Sequence, residues 1–175
     1  MNMGDHAKSL KDLLNAGVDC YALKETFEAK SIKDHHRAKE IEFNKLFTIG
    51  TLTIVPLEMK HDVPCIGFYI HSTVTNEYLL FATDTYLIKA KPAMVNYIMI
   101  EANYDVDLVE DDVLRKRLIK SHMSIETTVQ YLKSIDLQNV KKIYLIHLSS
   151  RHSNEVDFKK RVQAATGKQV EVCAE

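Results

Sequence analysis

The chain has 175 residues, of which 46% are hydrophobic and 27% are charged, with five glycines and three prolines. This composition excludes intrinsic disorder, a collagen-like chain and a disulfide scaffold. The formal net charge of −1 gives no overall basic field for nucleic acid, although a local basic patch can still form. A chain of this length can bury about two thirds of its unfolded surface, so we predict one globular domain over residues 1–175.

The three cysteines point to a reducing compartment. Cys20, Cys65 and Cys173 are an odd number, have no CxxC spacing and lie in apolar surroundings, which is typical of buried thiols in the cytosol. No segment approaches the ~20 apolar residues that a membrane-spanning helix needs, and the first residues do not read as a secretion signal. We therefore expect a cytoplasmic protein without a membrane partner.

Hydrophobic periodicity predicts the elements of the first half of the chain. These are a helix over 6–16 ended by Gly17, a strand over 18–22, a polar surface segment over 24–37, a hairpin-like region from 40 to 57 turning at Gly50, and an antiparallel pair over 66–71 and 78–82. Each pair of strands is separated by a short polar or glycine turn, which favours antiparallel pairing.

The second half alternates strands with helices. The predicted elements are a helix or loop from 85 to 91, a strand over 94–100, helices over 111–119 and 124–134, a strand over 142–146, a helix over 154–166 and a strand over 169–173. Ser124 is the predicted N-cap of its helix. Antiparallel pairs followed by alternating elements indicate an α/β fold with a mixed sheet and helices packed on it.

Several predicted strands end in a histidine or aspartate that is followed by a polar turn. His61 and Asp62 follow one strand, Asp84 follows another, and His147 follows a third. Singly, Asp84 could cap the next segment and His147 could be a core histidine. Strand ends are where ligands from distant parts of a chain gather, so together these residues favour a functional site.

The order of these residues resembles the successive metal motifs of the metallo-β-lactamase-fold hydrolases. It is similar to their single-domain phosphodiesterase and exonuclease branch, including phage enzymes that degrade cyclic nucleotides. The resemblance covers essentially the whole chain and rests on Gly4-Asp5-His6, His61-Asp62, Ala82-Thr83-Asp84, Glu101 to Asp105, Ser121-His122-Met123-Ser124 and His147-Leu148-Ser149. It implies an αββα sandwich with mixed sheets.

The resemblance implies two Zn²⁺ or Mn²⁺ ions. His61 would bind the first ion, Asp5, His6 and His147 the second, and Asp84 would bridge them. Such a pair activates water for attack on a phosphodiester, so the expected substrate is a cyclic nucleotide or a nucleic-acid end.

The resemblance also assigns roles around the metal motifs. Asp84 and His122 would be catalytic, and His122 would contact a phosphate oxygen or donate a proton to the leaving group. Ser149 and His152 would bind substrate beside the last helix, and Asp62 would orient its neighbouring histidine.

The sequence departs from the family pattern at its start. Met1 and Met3 stand where the family has two histidines, and a thioether does not replace imidazole on Zn²⁺ or Mn²⁺. The first metal site is therefore impaired, and the expected number of ions falls from two to one. The chain also begins at the motif, which predicts a domain lacking part of its N-terminal half and a homo-oligomer that covers the exposed sheet. The alternative is a degraded relative with one metal or none that acts as a binding or regulatory partner.

Overall fold

A computed structural model describes residues 7–173 of the chain. The predicted metal ligands Asp5 and His6 lie outside the described residues. The chain divides into two compact units, residues 1–45 and residues 46–175, and each unit has its own sheet. One domain over residues 1–175 stays a prediction.

The first unit is small and mixes helices with one pair of strands. Its elements are α1 (Leu10–Asn15), β1 (Cys20–Ala22), α2 (Lys24–Ala29) and β2 (Ala38–Glu40). Strands β1 and β2 pair in parallel, with Cys20 opposite Ala38. Helix α1 is shorter than predicted, but it ends before Gly17 as expected. Gly17 has a φ of +84°, the left-handed conformation that glycine adopts most easily after a helix.

The second unit is built on a seven-stranded sheet in which neighbouring strands follow chain order. The strands are β3 (Phe47–Ile49), β4 (Leu52–Met59), β5 (Cys65–Ser72), β6 (Glu77–Ala82), β7 (Tyr97–Glu101), β8 (Lys142–Ile146) and β9 (Gln169–Val172). Strands β3 to β6 pair antiparallel and β6 to β9 pair parallel. The predicted mixed sheet is therefore confirmed. Short turns join the antiparallel strands and long crossovers join the parallel strands, as each kind of pairing requires.

Three α-helices and one short 3-10 helix (Val106–Leu108) lie in the described crossovers of the parallel half. Helices α3 (Asp112–Leu118) and α4 (Ile125–Lys133) connect β7 to β8, and α5 (Glu155–Thr166) connects β8 to β9. The crossover from β6 to β7, residues 83–96, contains no helix. Ser124 caps α4 as predicted, because its Oγ accepts a hydrogen bond from the Thr127 N–H at 3.2 Å.

The core lies between one face of the parallel strands and helices α4 and α5. Alternate residues of the strands point to this face, which is why an apolar residue recurs at every second position. The buried side chains include Leu80, Ile98, Ile100, Ile143 and Leu145 from strands, and Ile125, Leu132, Phe158 and Val162 from helices. Burial of each such side chain stabilises the fold by about 1.5–3 kcal/mol, so the parallel strands form a rigid platform.

The parallel strands place three polar residues at one edge of the sheet. The register pairs Ala82 with Ile100 and Glu101 with Ile146, so β6, β7 and β8 end side by side. Asp84, Glu101 and His147 all lie at these carboxyl ends. In sheets of this kind ligands bind outside the carboxyl ends of the strands.

Among the described residues, none of the helices combines the length and the apolar character needed to span a membrane.

Candidate metal centre

Four side chains converge at the carboxyl edge of the sheet. Asp84, Glu101, His122 and His147 each offer a potential metal-ligand atom, and these atoms all lie within 4.8 Å of one another. Two carboxylates and two imidazoles are a donor set suited to Zn²⁺ and to other first-row divalent ions.

The backbone brings these residues together from separate elements. Asp84 follows β6, Glu101 ends β7, and His147 follows β8 directly, while His122 lies between α3 and α4. Asp84 and His147 have φ values of +50° and +57°. The left-handed region is uncommon for residues other than glycine, and residues held there cluster at functional sites. Both residues with this strained backbone, Asp84 and His147, are predicted metal ligands.

Glu101 is the buried hub of the group. Its side chain is 0% exposed, and its Oε1 lies 2.6 Å from Nδ1 of His122 and 2.9 Å from Nδ1 of His147. Its Oε2 accepts a hydrogen bond from the Thr85 N–H at 2.9 Å. Burial acts to raise the pKa of Glu101, but the hydrogen bonds from His122 and His147 outweigh it, and the pKa lies below its usual value. The carboxylate is therefore ionised and accepts a hydrogen bond from each Nδ1–H group.

These distances separate hydrogen-bond partners from metal ligands. Two ligands of one tetrahedral Zn²⁺ lie about 3.3 Å apart, given Zn–N bonds of about 2.0–2.1 Å. The contacts of 2.6 and 2.9 Å are shorter than that, so Glu101 orients the two imidazoles through Nδ1 rather than sharing an ion with these nitrogens. Asp84 Oδ1 lies 3.9 Å from Nδ1 of His122 and 3.7 Å from Nδ1 of His147, which is too far for a hydrogen bond.

His61 adds a fifth side chain beside the group. Its ring packs edge-on against the His122 ring, with centroids 5.4 Å apart, and its side chain is 3% exposed. Nδ1 lies 2.5 Å from Oδ1 of Asp62 and accepts a hydrogen bond from the Val63 N–H at 3.3 Å, whereas Nε2 is buried and has no hydrogen-bond partner among residues 7–173. Burial lowers the pKa of His61, against the opposing charge of Asp62, so the imidazole is neutral.

The unpartnered nitrogen of His61 fits a metal ligand. A buried polar atom without a partner costs about 1–3 kcal/mol, so such atoms are rare. Nδ1 has Oδ1 of Asp62 at 2.5 Å and the Val63 N–H at 3.3 Å, so Nε2 is the ring nitrogen that an ion would occupy. The residues present therefore fit a divalent ion.

The remaining predicted residues lie in or beside the loop after β8. Ser149 and His152 contact each other, with 3.3 Å between Oγ and Nδ1. Their backbones bond to Asn103 and Asp105: the Ser149 N–H donates to the Asn103 carbonyl, and the His152 carbonyl accepts from the Asp105 N–H. These contacts do not include the four-residue group, so a substrate role for Ser149 and His152 stays a prediction. Oδ1 of Asp62 lies 2.5 Å from Nδ1 of His61, and its orienting role stays a prediction.

Two residues of the site were missed from the sequence. Glu101 ends an otherwise apolar strand, and the rule that singled out Asp84 and His147 applies equally to it. Thr85 is fully buried, and its Oγ1 accepts a hydrogen bond from the Lys60 N–H at 3.0 Å. Thr85 therefore ties the segment that carries His61 to the segment that carries Asp84. No sequence pattern marks a threonine for such a role.

No protein-family model and no curated protein matches the sequence. Solved structures do match. The metallo-β-lactamase fold protein YhfI from Bacillus subtilis has a TM-score of 0.74 and 16% identity, and the match covers 98% of this chain and 70% of that one. The short form of human tRNase Z has a TM-score of 0.52 and 12% identity, with 89% and 64% covered. CmlA, a diiron β-hydroxylase from Streptomyces venezuelae, has a TM-score of 0.52 and 12% identity, with 87% and 35% covered.

These matches confirm the predicted fold class: the chain has the metallo-β-lactamase fold, with mixed sheet and flanking helices. It spans about two thirds of the length of human tRNase Z and about a third of that of CmlA. Identities this low show the fold alone. The phosphodiesterase branch and the shortened N-terminal half stay predictions.

Proposed function

On the metallo-β-lactamase fold and the side chains at its sheet edge, we propose that this protein is a metal-dependent hydrolase of phosphodiester bonds. The proposed substrate is a cyclic nucleotide or a nucleic-acid end. One observation carries the proposal: a buried carboxylate, Glu101, orients the imidazoles of His122 and His147 beside Asp84 and the unpartnered Nε2 of His61.

The proposed metal ligands are Asp84, His147 and His61, together with Asp5 and His6. Bound Zn²⁺ or Mn²⁺ would supply Lewis-acid activation of water and neutralise charge on the phosphate. Nitrogen and carboxylate oxygen are ligands that such ions accept. Methionine at positions 1 and 3 leads us to propose one ion per chain rather than two.

The protein side chains have separate roles in the proposed reaction. Glu101 holds the Nδ1 proton of His122, which aims Nε2 of that ring away from the carboxylate. His122 is proposed to donate a proton from Nε2 to the leaving oxygen, as a general acid. Asp62, whose Oδ1 lies 2.5 Å from Nδ1 of His61, is proposed to orient that ring. Ser149 and His152, just before α5, are proposed to contact a phosphate oxygen.

The side chains of the site support the proposal more strongly than the fold does. Solved proteins with this fold include one named as a tRNase and one named as a diiron β-hydroxylase, so the fold is compatible with more than one chemistry. The histidine–carboxylate pair of His122 and Glu101 supports hydrolysis, because proton donation to a leaving oxygen is what such a pair supplies.

Metal content and a generic phosphodiester test the proposal. Mass spectrometry of the purified protein should find about one ion per chain, and two tightly bound ions would contradict the ligand set. With added Mn²⁺ or Zn²⁺ the protein should hydrolyse bis-p-nitrophenyl phosphate. Asp84→Ala should abolish this activity, whereas Asp12→Ala, an exposed aspartate of α1, should leave it unchanged. Activity that survives Asp84→Ala would show that the catalyst lies elsewhere.

The same measurements separate the alternative function. A protein that folds but binds no metal and hydrolyses no phosphodiester would be the degraded relative that acts as a binding or regulatory partner. That outcome would overturn the proposal that the protein is a hydrolase.

We also propose that the protein forms a homo-oligomer. Strand β3 is an edge of the seven-stranded sheet, and apolar side chains are exposed at this edge: Leu46 by 61%, Ile49 by 38% and Leu52 by 37%. Exposed edge strands with apolar residues favour pairing with another chain. Light scattering coupled to gel filtration should give a mass above that of one chain, and a monomer at ~100 µM would contradict the proposal.

A further inference from the structure

We infer that Arg117, Lys120 and Arg151 form a cationic rim that binds phosphates flanking the scissile bond, so that the substrate is single-stranded nucleic acid rather than a lone cyclic nucleotide. The inference rests on the proposed function, because it names the substrate class of that same site. The term cationic rim refers to these three residues throughout.

The first two residues of the rim belong to the segment that positions His122. Helix α3 leads into this histidine: the His122 N–H donates to the Leu118 carbonyl at 2.8 Å, and Ser121 Oγ donates to the Arg117 carbonyl at 2.9 Å. Arg117 and Lys120 are both exposed. Two residues of chain span at most about 7 Å, so the exposed ammonium of Lys120 originates close to the site histidine.

The third residue comes from a different part of the chain. Arg151 is exposed on the loop after β8, four residues beyond His147, and its N–H donates to Ser149 Oγ at 3.4 Å. The rings of His122 and His147 have centroids 5.3 Å apart. The two cationic segments therefore adjoin the two histidines of the site along the chain.

The charges of the rim are not paired with other side chains of the described residues. Within residues 7–173, the side chains of Arg117, Lys120 and Arg151 form no ion pair, in contrast to Arg161, which contacts Asp105 and Glu126. Unpaired, exposed cations are available to an anionic ligand.

Helix α3 is also polarised along its length. Its first turn is acidic, with Asp111 as N-cap and Asp112 next to it, and its last turn contains Arg115, Lys116 and Arg117. This distribution suits the helix dipole, which is a structural reason for cations at the end of a helix. The helix dipole does not account for Arg151, which lies in a loop. The distribution of charge places the basic end of α3, rather than its acidic end, beside His122.

The number of cations favours a strand over a mononucleotide. A cyclic nucleotide has one phosphate, which the site itself would hold, and it leaves nothing for the rim to bind. A nucleic-acid strand has further phosphates on both sides of the scissile one. Since the net charge of the chain is −1, attraction for such a strand has to be local, and the rim supplies it next to the site.

Binding and kinetics with a fluorescein-labelled single-stranded 12-mer test the rim, in separate RNA and DNA arms. Lys120→Gln should raise the dissociation constant of metal-loaded protein about threefold, and the triple change to Gln at Arg117, Lys120 and Arg151 should raise it about tenfold or more. The plot of log affinity against log salt should become less steep by about 2, since each lost contact to a single strand removes about 0.7.

The controls separate the rim from a general or structural effect. Lys133→Gln removes an exposed lysine at the far end of α4, about 13 Å along the helix from Ser124, and should not change binding. The kinetic constants for bis-p-nitrophenyl phosphate should be the same in the rim variants and the parent protein, because that compound has no flanking phosphate. Urea unfolding should also be unchanged, whereas a purely structural role would lower stability.

Three results would overturn the inference: equal weakening by Lys133→Gln, an unchanged salt slope in the triple variant, or a matching loss with bis-p-nitrophenyl phosphate. Preference for the RNA or the DNA arm identifies the kind of strand. A parent protein inactive on bis-p-nitrophenyl phosphate contradicts the proposed function instead, while binding of the 12-mer still reports on the rim.

Discussion

Replacing Glu101 by glutamine tests the central feature of the site. The ionised carboxylate accepts hydrogen bonds from three N–H groups, those of His122, His147 and Thr85. Glutamine has the same shape but only one oxygen, and its amide nitrogen donates. If the oxygen faces Thr85, the amide nitrogen meets both imidazole N–H groups; if it is reversed, the amide nitrogen meets the Thr85 N–H. The amide nitrogen therefore faces two N–H groups in the first orientation and one in the second.

The size of the effect follows from the two short contacts of Oε1, at 2.6 and 2.9 Å. A hydrogen bond to a charged group contributes about 1.5–3 kcal/mol and a neutral one about 1 kcal/mol. Glu101→Gln therefore removes about 0.5–2 kcal/mol from the interaction that orients each imidazole. Where the amide nitrogen faces His147, the imidazole proton is expected to move from Nδ1 to Nε2. Nε2 is the atom proposed to bind the ion. We expect metal affinity to fall about 10–100-fold, the range for loss of a residue that orients a metal ligand.

Zinc competition against a chromophoric chelator measures the affinity, and ¹⁵N NMR of the imidazoles reports which nitrogen is protonated. Glu77→Gln is the matched control, because Glu77 forms an exposed pair with Lys141 elsewhere in the sheet and should leave metal affinity unchanged. The reasoning is refuted if folded Glu101→Gln protein binds zinc as tightly as the parent and keeps both protons on Nδ1.

Three further changes probe the structure around the site. Thr85→Val removes the acceptor of the Lys60 N–H and should lower the free energy of unfolding by about 1–3 kcal/mol in a urea titration; a change below 0.5 kcal/mol would contradict a buried network. Tyr131→Phe deletes the 2.8 Å hydrogen bond to the Ala90 carbonyl and should cost about 1 kcal/mol in the same assay, and a more stable variant would count against it. Burial, helped by nearby carboxylates, raises the pKa of the Cys65 thiol to about 12. At pH 8 its thiolate fraction is then about a thousandfold below that of an ordinary thiol. Iodoacetamide should therefore label Cys65 far more slowly in folded protein than in urea, and the labelling rate of the folded protein should rise with pH towards 12. Equal labelling rates in folded and urea-unfolded protein would contradict a buried thiol.

The sequence predicted the local features of the fold well. The turn at Gly17, the cap at Ser124 and the strands β5, β6 and β8 depend on neighbouring residues, and a short stretch of chain specifies each of them. The sequence also singled out Asp84 and His147, because a polar residue that follows an apolar strand is visible without knowing what the strand pairs with.

Other features depend on residues far apart in the chain. Glu101 and His147 are 46 positions apart, and the hydrogen bond between them exists only because β7 and β8 pair in one register. The burial of His61 Nε2, which has no hydrogen-bond partner among residues 7–173, likewise depends on packing that no local pattern specifies. These are the observations on which the proposed metal centre depends.

The sequence by itself determined the type and order of most elements, and it determined which strand ends carry acids and histidines. Only the tertiary structure decided that Glu101 is the hub of the site and that Thr85 links its two segments. The physical reason is that periodicity and capping are short-range effects, whereas the register of parallel strands and the desolvation of a carboxylate or an imidazole arise from packing between distant segments.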